Sequence, residues 1–137
     1  MELLILIALS LKATTYGWGE LMCGDIGKPR SCTDGAVTAS GQPFEPVTIP
    51  SAAIPAPTRM PLKARFINLR LKGVPDAPCI RIILNDKANP RWIGKRGFDL
   101  SPAAVQALTN SLPTPHWSGK VETCDLPINL STIHTEN

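Results

Sequence analysis

The chain has 137 residues, of which 43% are hydrophobic, and a formal net charge of +3 at pH 7. This length makes a single domain the default, and the apolar fraction is sufficient for a buried core. The mild positive charge suits an anionic polymer such as a bacterial cell wall, while seven aromatic residues and no Lys- or Arg-rich tract argue against a nucleic-acid partner.

Residues 1–11 form an apolar N-terminal segment. The run from Leu3 to Leu11 is too short for a membrane-spanning helix, so no transmembrane span is predicted. It has the length of a signal-peptide core, and Ala8 and Ser10 supply small residues for cleavage, but Glu2 stands where such a peptide carries Lys or Arg. Two interpretations follow: a cleaved export signal, or a retained strand or docking segment.

Several short strands follow in chain order. Lys12–Trp18 is β-prone, and the five prolines of Pro46–Pro61 predict an extended edge strand or a loop. Leu62–Leu71 reads as a strand. In the strand predicted over Cys79–Asn85, Ile80, Ile82 and Leu84 alternate onto one face and Arg81 lies on the other.

One helix is predicted over Ser101–Leu112. Ser101 can cap its first turn, Pro102 suits the first helical position, and Ala104, Leu108 and Leu112 form a buried stripe. No element is predicted for the tail, residues 125–137. Short strands, proline- and glycine-rich turns and one helix together indicate a mainly β protein, built as a small closed barrel.

The four cysteines are Cys23, Cys32, Cys79 and Cys124. They include no CxxC pair and the histidines are remote in sequence, so no metal site is predicted. Two disulfides are expected in an oxidising compartment. Three pairings are possible; the short loop favours Cys23–Cys32, which leaves Cys79–Cys124. The alternative is four reduced, buried cysteines.

A series of motifs resembles a known family. "ATTYGWG", "TASGQPFEP", "LKARFINL", "IRIILNDK" and "GFDLSPAAVQAL" occur in the order seen in rare lipoprotein A and the related expansins and endoglucanases. The resemblance implies a six-stranded double-psi β-barrel over residues 12–124, with one or two short helices, no cofactor and a polysaccharide groove. In bacterial members the ligand is peptidoglycan, which some cleave as lytic transglycosylases, whereas expansin-like members bind or loosen walls without hydrolysis.

The resemblance assigns two candidate catalytic residues. Asp86 matches the aspartate of the family's "NDRGP" block and Asp99 that of its "DLS" block. Tyr16 matches the tyrosine of the opening "YG", and Glu45 an acid near "SG". Together with two tryptophans that could stack on sugar rings, the predicted substrate-binding set is Tyr16, Trp18, Thr38, Ser40, Glu45, Asn85, Lys87 and Trp92.

The chain also departs from the family pattern. Gln42 replaces a glutamate, Ile54 replaces a histidine, and "NDKAN" replaces "NDRGP", so that Lys87 stands in place of an arginine. Each aspartate has a structural alternative. Asp86 would be a turn residue at a strand end, and Asp99 would gain from the dipole of the following helix.

Cleavage of a glycosidic bond requires one or two carboxyl groups, depending on the mechanism. A lytic transglycosylase can use one carboxyl as acid and base, since the sugar's own hydroxyl attacks, whereas an inverting hydrolase needs two spaced carboxyls. The acid needs a pKa raised by burial or by a like charge. The basic residues of the intervening loop would lower that pKa if they pointed inward, and otherwise form a solvated face or bind wall carboxylates or phosphates: Lys87, Arg91, Lys95 and Arg96.

Two functions are therefore expected. The first is a peptidoglycan-acting barrel that is secreted or periplasmic. The second is a non-catalytic barrel among other subunits of a phage tail or cell-envelope assembly, located in the virion tail if the N-terminus is not cleaved.

Overall fold

Six strands and two short helical segments make up the described part of the chain. The computed structural model describes residues 12–16 and 37–126. The strands are β1 (Lys12–Thr15), β2 (Ser51–Pro55), β3 (Arg65–Leu71), β4 (Ile80–Ala88), β5 (Asp99–Leu100) and β6 (Gly119–Thr123). A 3-10 helix covers Pro90–Trp92, and an α-helix, α1, covers Pro102–Thr109.

The strands close into a barrel in the order β1-β5-β2-β4-β3-β6. Two neighbouring pairs are parallel, β1 with β5 and β2 with β4, and the remaining pairs are antiparallel. Closure leaves no sheet edge without a partner strand. The expected mainly β, six-stranded closed barrel with a short helix is confirmed, and its double-psi form stays a prediction.

All six strands and α1 contribute to one hydrophobic core. The predicted face of β4 is confirmed, because Ile82 and Leu84 are fully buried while Arg81 is exposed. Alternation at period two explains this pattern. The core side chains are Ala13, Ala52, Ile54, Ile67, Leu69, Ile82, Leu84, Phe98, Leu100, Ala104, Val105, Leu108 and Val121.

The prediction of an edge strand or loop over Pro46–Pro61 is wrong for its middle part. Strand β2 is paired on both sides, with β4 and β5, and all five of its residues are buried. The prolines do not prevent this, since Pro50 precedes the strand and Pro55 is its last residue, so the interior amides remain available. Strand β4 also runs three residues beyond the predicted end at Asn85, and β5 and β6 were not predicted.

Helix α1 begins where the sequence predicts. The Ser101 hydroxyl accepts hydrogen bonds from the backbone amides of Ala104, at 3.3 Å, and Ser51, at 3.0 Å. The predicted end at Leu112 is wrong. Asn110 adopts a left-handed conformation (φ 53°) that ends the helix, and Leu112 is 85% exposed rather than part of the buried stripe.

A disulfide joins Cys79, just before β4, to Cys124, just after β6. This pairing was one of the two predicted and is confirmed, which excludes the reduced alternative for these two residues. Cys23, Cys32, residues 1–11 and residues 127–137 lie outside the described residues. Within the described ranges, no helix is long and apolar enough to cross a membrane.

Candidate functional site

The two candidate catalytic residues flank one alanine. Ala53 of β2 pairs with Asp86 of β4 on one side and with Asp99 of β5 on the other. Neighbouring strands lie about 4.8 Å apart, so the two aspartate Cα atoms are separated by roughly 10 Å. Residues in register on neighbouring strands share a face of the sheet, and on this face the buried Ala53 packs with Tyr16 and Phe44.

An irregularity in β4 places Asp86 on this face. The consecutive residues Ala52 and Ala53 pair with Leu84 and Asp86, so that Asn85 is an extra residue in β4. In a regular strand of the same sequence, Asp86 would lie two residues after Leu84 and so face the core with it. A bulge shifts the alternation by one residue and redirects the side chains that follow it. The carboxyl group of Asp86 therefore lies on the face opposite the core.

Asp86 organises the loop that covers this face. Its Oδ1 atom accepts hydrogen bonds from the backbone amides of Ala39, at 3.0 Å, and Lys87, at 2.9 Å, and the residue is 5% exposed. Thr38 and Ser40 belong to the same loop, where their hydroxyl groups lie 3.0 Å apart. The strand-end position expected for Asp86 is wrong, because it lies inside β4, but its bonds to backbone amides are those of a structural role.

The surroundings of Asp99 favour the protonated form of its carboxyl group. Burial raises the pKa of its carboxyl group from 3.8 to about 6, and the negative charge of Asp86 adds to this rise. The hydrogen bond from Thr14 and the positive charge of Arg96 oppose it without cancelling it. The pKa rise that a catalytic carboxyl needs is therefore present despite the basic loop.

Tyr16 lies beside both aspartates. Its ring stacks on Phe44, with centroids 5.1 Å apart, and it is 8% exposed. Burial and the charges of Asp86 and Asp99 raise the pKa of its hydroxyl well above 10, while the Ser51 hydroxyl opposes this weakly. Among the described residues, the Tyr16 hydroxyl has no hydrogen-bond partner of good geometry. It therefore remains neutral.

A pocket of about 670 Å³, the acid pocket, opens in front of Asp99. Four predicted site residues line it, namely Tyr16, Lys87, Trp92 and Asp99. Sequence reasoning missed several further lining residues, including Thr14 and His116. No local signal marks them, since the barrel brings them together from distant segments: Lys12, Thr14, His116, Trp117 and Ser118. Arg96, one of the basic loop residues named from the sequence, also lines the pocket.

The basic residues do not form one uniform solvated face. The Lys87 ammonium group donates to the carbonyl oxygens of Thr58, at 2.7 Å, and Met60, at 2.8 Å. The guanidinium groups of Arg91 and Arg96 lie over the Trp92 ring, 4.6 and 3.7 Å from its centroid. These contacts fix the 3-10 helix at the pocket rim and hold Trp92 in place.

The remaining predicted residues lie elsewhere. Glu45 and Asn85 line a second pocket, of about 450 Å³, and Asp86, Thr38 and Ser40 line neither of these two pockets. Trp18 lies outside the described residues. The predicted site residues therefore fall into three groups. Some line the acid pocket, some line the second pocket, and Asp86 holds the loop that contains Thr38 and Ser40.

Two of the positions that depart from the family pattern lie in different parts of the barrel. Ile54, where the family has a histidine, is 1% exposed within the core, so a polar side chain would be costly there. Gln42 is exposed and lines the second pocket. Neither residue lines the acid pocket.

No family model matches the chain, and no curated protein matches it either. Within residues 12–16 and 37–126, no group of three or more His, Cys, Asp and Glu side chains could hold a metal ion. The described residues bring together, around one pocket, a carboxyl group with a pKa of about 6, a tyrosine and a tryptophan ring.

Proposed function

We propose that the protein acts on a cell-wall glycan, with peptidoglycan as substrate, as a lytic transglycosylase whose acid and base is Asp99. The observation that carries this proposal is a carboxyl group with a pKa of about 6 facing a 670 Å³ pocket lined by aromatic side chains. That volume lies within the range of roughly 300–1,000 Å³ that is usual for small-molecule sites. The motif series and its resemblance to rare lipoprotein A favour the same substrate.

The arrangement of the two carboxyl groups favours internal attack over inverting hydrolysis. Inversion requires a second carboxylate facing a water on the opposite side of the sugar. Asp86 is buried, binds two backbone amides and does not line the acid pocket. A single pocket-facing carboxyl is sufficient when the nucleophile is the sugar's own hydroxyl.

The proposed reaction moves one proton through Asp99 in two steps. The protonated carboxyl gives its proton to the glycosidic oxygen as the bond from that oxygen to the anomeric carbon breaks. The resulting carboxylate then takes the proton of the sugar hydroxyl as that oxygen bonds to the anomeric carbon. Tyr16 and Trp92 would position the ring, by hydrogen bonding and by stacking.

The disulfide supports an exported location for this activity. Such bonds persist in oxidising compartments, and the Cys79–Cys124 pair joins segments 45 residues apart. We accordingly place the protein in the periplasm or outside the cell. A virion tail that meets the wall is the alternative location.

Digestion of isolated sacculi tests the proposal. We expect wild-type protein to release anhydro-sugar products, with activity falling as pH rises through about 6, where Asp99 loses its proton. Asp99→Asn should abolish release, while the exposed Asp125→Asn should not. Absence of anhydro products at every pH, or full activity of Asp99→Asn, would overturn the proposal.

A binding assay on the same sacculi tests the other expected class. A non-catalytic barrel would co-sediment with sacculi without cleaving them, or would not bind them at all. Retained binding by Asp99→Asn together with lost cleavage is the result that the catalytic proposal predicts.

A further inference from the structure

The second pocket differs in character from the acid pocket. It lies against the outer side of β3 and β4, and its volume is about 450 Å³. Its walls are mainly apolar, and two of them are prolines, which hold their backbone rigidly. The apolar lining residues are Pro43, Ile49, Pro50, Phe66 and Ile83.

A buried side-chain oxygen that has no partner among the described residues belongs to a residue lining this pocket. Asn85 is 3% exposed, and its Oδ1 atom has no hydrogen-bond partner within the described residues. Its backbone carbonyl accepts a hydrogen bond from the Ser40 amide at 3.0 Å, which fixes the residue at the bulge. Leaving such a group unpaired is unfavourable, because it has lost its hydrogen bonds to water without replacing them. An occupant that pairs with Asn85 would recover this free energy.

The mouth of the pocket carries both signs of charge. Glu45 and Arg81 are exposed and line it, and the Arg81 guanidinium lies 4.9 Å from the centroid of the Phe66 ring. Phe66 is nonetheless 60% exposed, a large apolar surface for a side chain on a strand. The balance of charge favours a ligand that is neutral at its centre, and the Phe66 ring favours an apolar contact.

These features fit a peptide better than a sugar. A sugar ring carries hydroxyl groups around its edge, and each of them would need a partner in a mostly apolar pocket. An extended peptide presents one apolar side chain beside a backbone N–H and C=O. The Asn85 amide has a matching acceptor and donors.

We propose that the second pocket binds an extended peptide segment of a partner protein. An aliphatic or aromatic side chain fills the apolar pocket, and the adjoining backbone amide pairs with the Asn85 side chain. This site is separate from the proposed glycan site, and its occupancy does not depend on Asp99.

Amide chemical shifts of the full-length, 15N-labelled chain test this with three probes. N-acetyl-leucine amide should shift the resonances of Phe66, Ile83 and Asn85, including the Asn85 side-chain amide. N-acetyl-glycine amide should bind roughly tenfold more weakly, because it lacks the apolar side chain. The trimer of N-acetylglucosamine should leave these resonances unshifted. Equal binding of the first two probes, or shifts with the sugar trimer alone, would overturn the proposal.

Variants assign the interaction to the pocket. Asn85→Ala should weaken binding of the leucine probe several-fold. Phe66→Ala, at an exposed position that does not put folding at risk, should do the same. Asp99→Asn, in the other pocket, should bind the probe as wild type does. Wild-type affinity in both pocket variants would show that the peptide does not bind here.

Discussion

Thr14 and Asp99 are joined by a hydrogen bond of 3.1 Å across the parallel pair of β1 and β5, although 85 residues separate them in sequence. The Thr14 hydroxyl donates to the Oδ1 atom, so it stabilises the charged form of the carboxyl group and lowers its pKa. The pKa of about 6 therefore results from burial working against this bond.

Replacing Thr14 by valine should raise the pKa of Asp99 above about 6, because a donor to the carboxylate is lost while the shape of the side chain is kept. Titration of the Asp99 carboxyl carbon by NMR measures this directly. The exposed Thr48→Val serves as the control and should leave the titration unchanged. An unaltered or lowered pKa in Thr14→Val would contradict the assigned role of the bond.

Replacing Arg96 by glutamine should also raise the pKa of Asp99, because the cation favours the carboxylate. If the protein cleaves glycans, the decline of activity with rising pH should move to higher pH in the same variant. Arg96 is exposed, so salt near 1 M, where the screening length is about 3 Å, should reduce the difference. Lys95→Gln removes the neighbouring charge as the matched control and should not move the titration.

Asp99→Asn should stabilise the protein at pH 8 and change its stability much less at pH 4. A carboxyl whose pKa rises from 3.8 to about 6 on folding binds its proton more tightly in the folded state. Its ionisation therefore costs stability as the pH rises through about 6. The difference between the two pH values should be about 2 kcal/mol in the free energy of unfolding. Urea denaturation measures it, with Asp125→Asn as the control; destabilisation of Asp99→Asn at pH 8 would contradict it.

The double variant Cys79→Ser, Cys124→Ser should lose about 4 kcal/mol of stability, because it removes a cross-link between residues 45 positions apart. The reference is the wild-type protein, with its other cysteines unchanged. Denaturation midpoints in urea, taken without reductant, provide the measurement. A loss below about 1 kcal/mol would mean that the start of β4 and the end of β6 are held together by packing alone.

Local patterns predicted much of the barrel. The alternation of Ile82 and Leu84 fixed the core face of β4, and the Ser101-Pro102 pair fixed the start of α1. The two-residue strand β5 is too short for any periodic pattern. Strand β2 looked unsuited to the middle of a sheet because it lies among prolines, and its pairing on both sides depends on the closed topology.

The site was predicted less completely, for a physical reason. The residues of the acid pocket come from β1, β2, β4, β5 and two loops, so their proximity depends on the barrel rather than on spacing. Asn85 and Asp86 are adjacent in sequence, yet Asn85 lines the second pocket and Asp86 holds the loop of Ala39. The sequence identifies both polar residues, but it does not show that their side chains lie in different places.

The extra residue at Asn85 means that counting along the sequence gives the wrong side of the sheet for Asp86. Asp86 is two residues after Leu84, which would put it in phase with the core residues Ile82 and Leu84, but it pairs with Ala53 as the residue directly after Leu84 would. Deleting Asn85 would preserve every apolar residue of the strand and would leave Asp86 directly after Leu84, on the face opposite the core. A relative could therefore lack this residue and still keep one aspartate on each side of the alanine. Alignments of such chains need to allow a gap in this strand, because an ungapped alignment would compare Asp86 with a residue on the other side of the sheet.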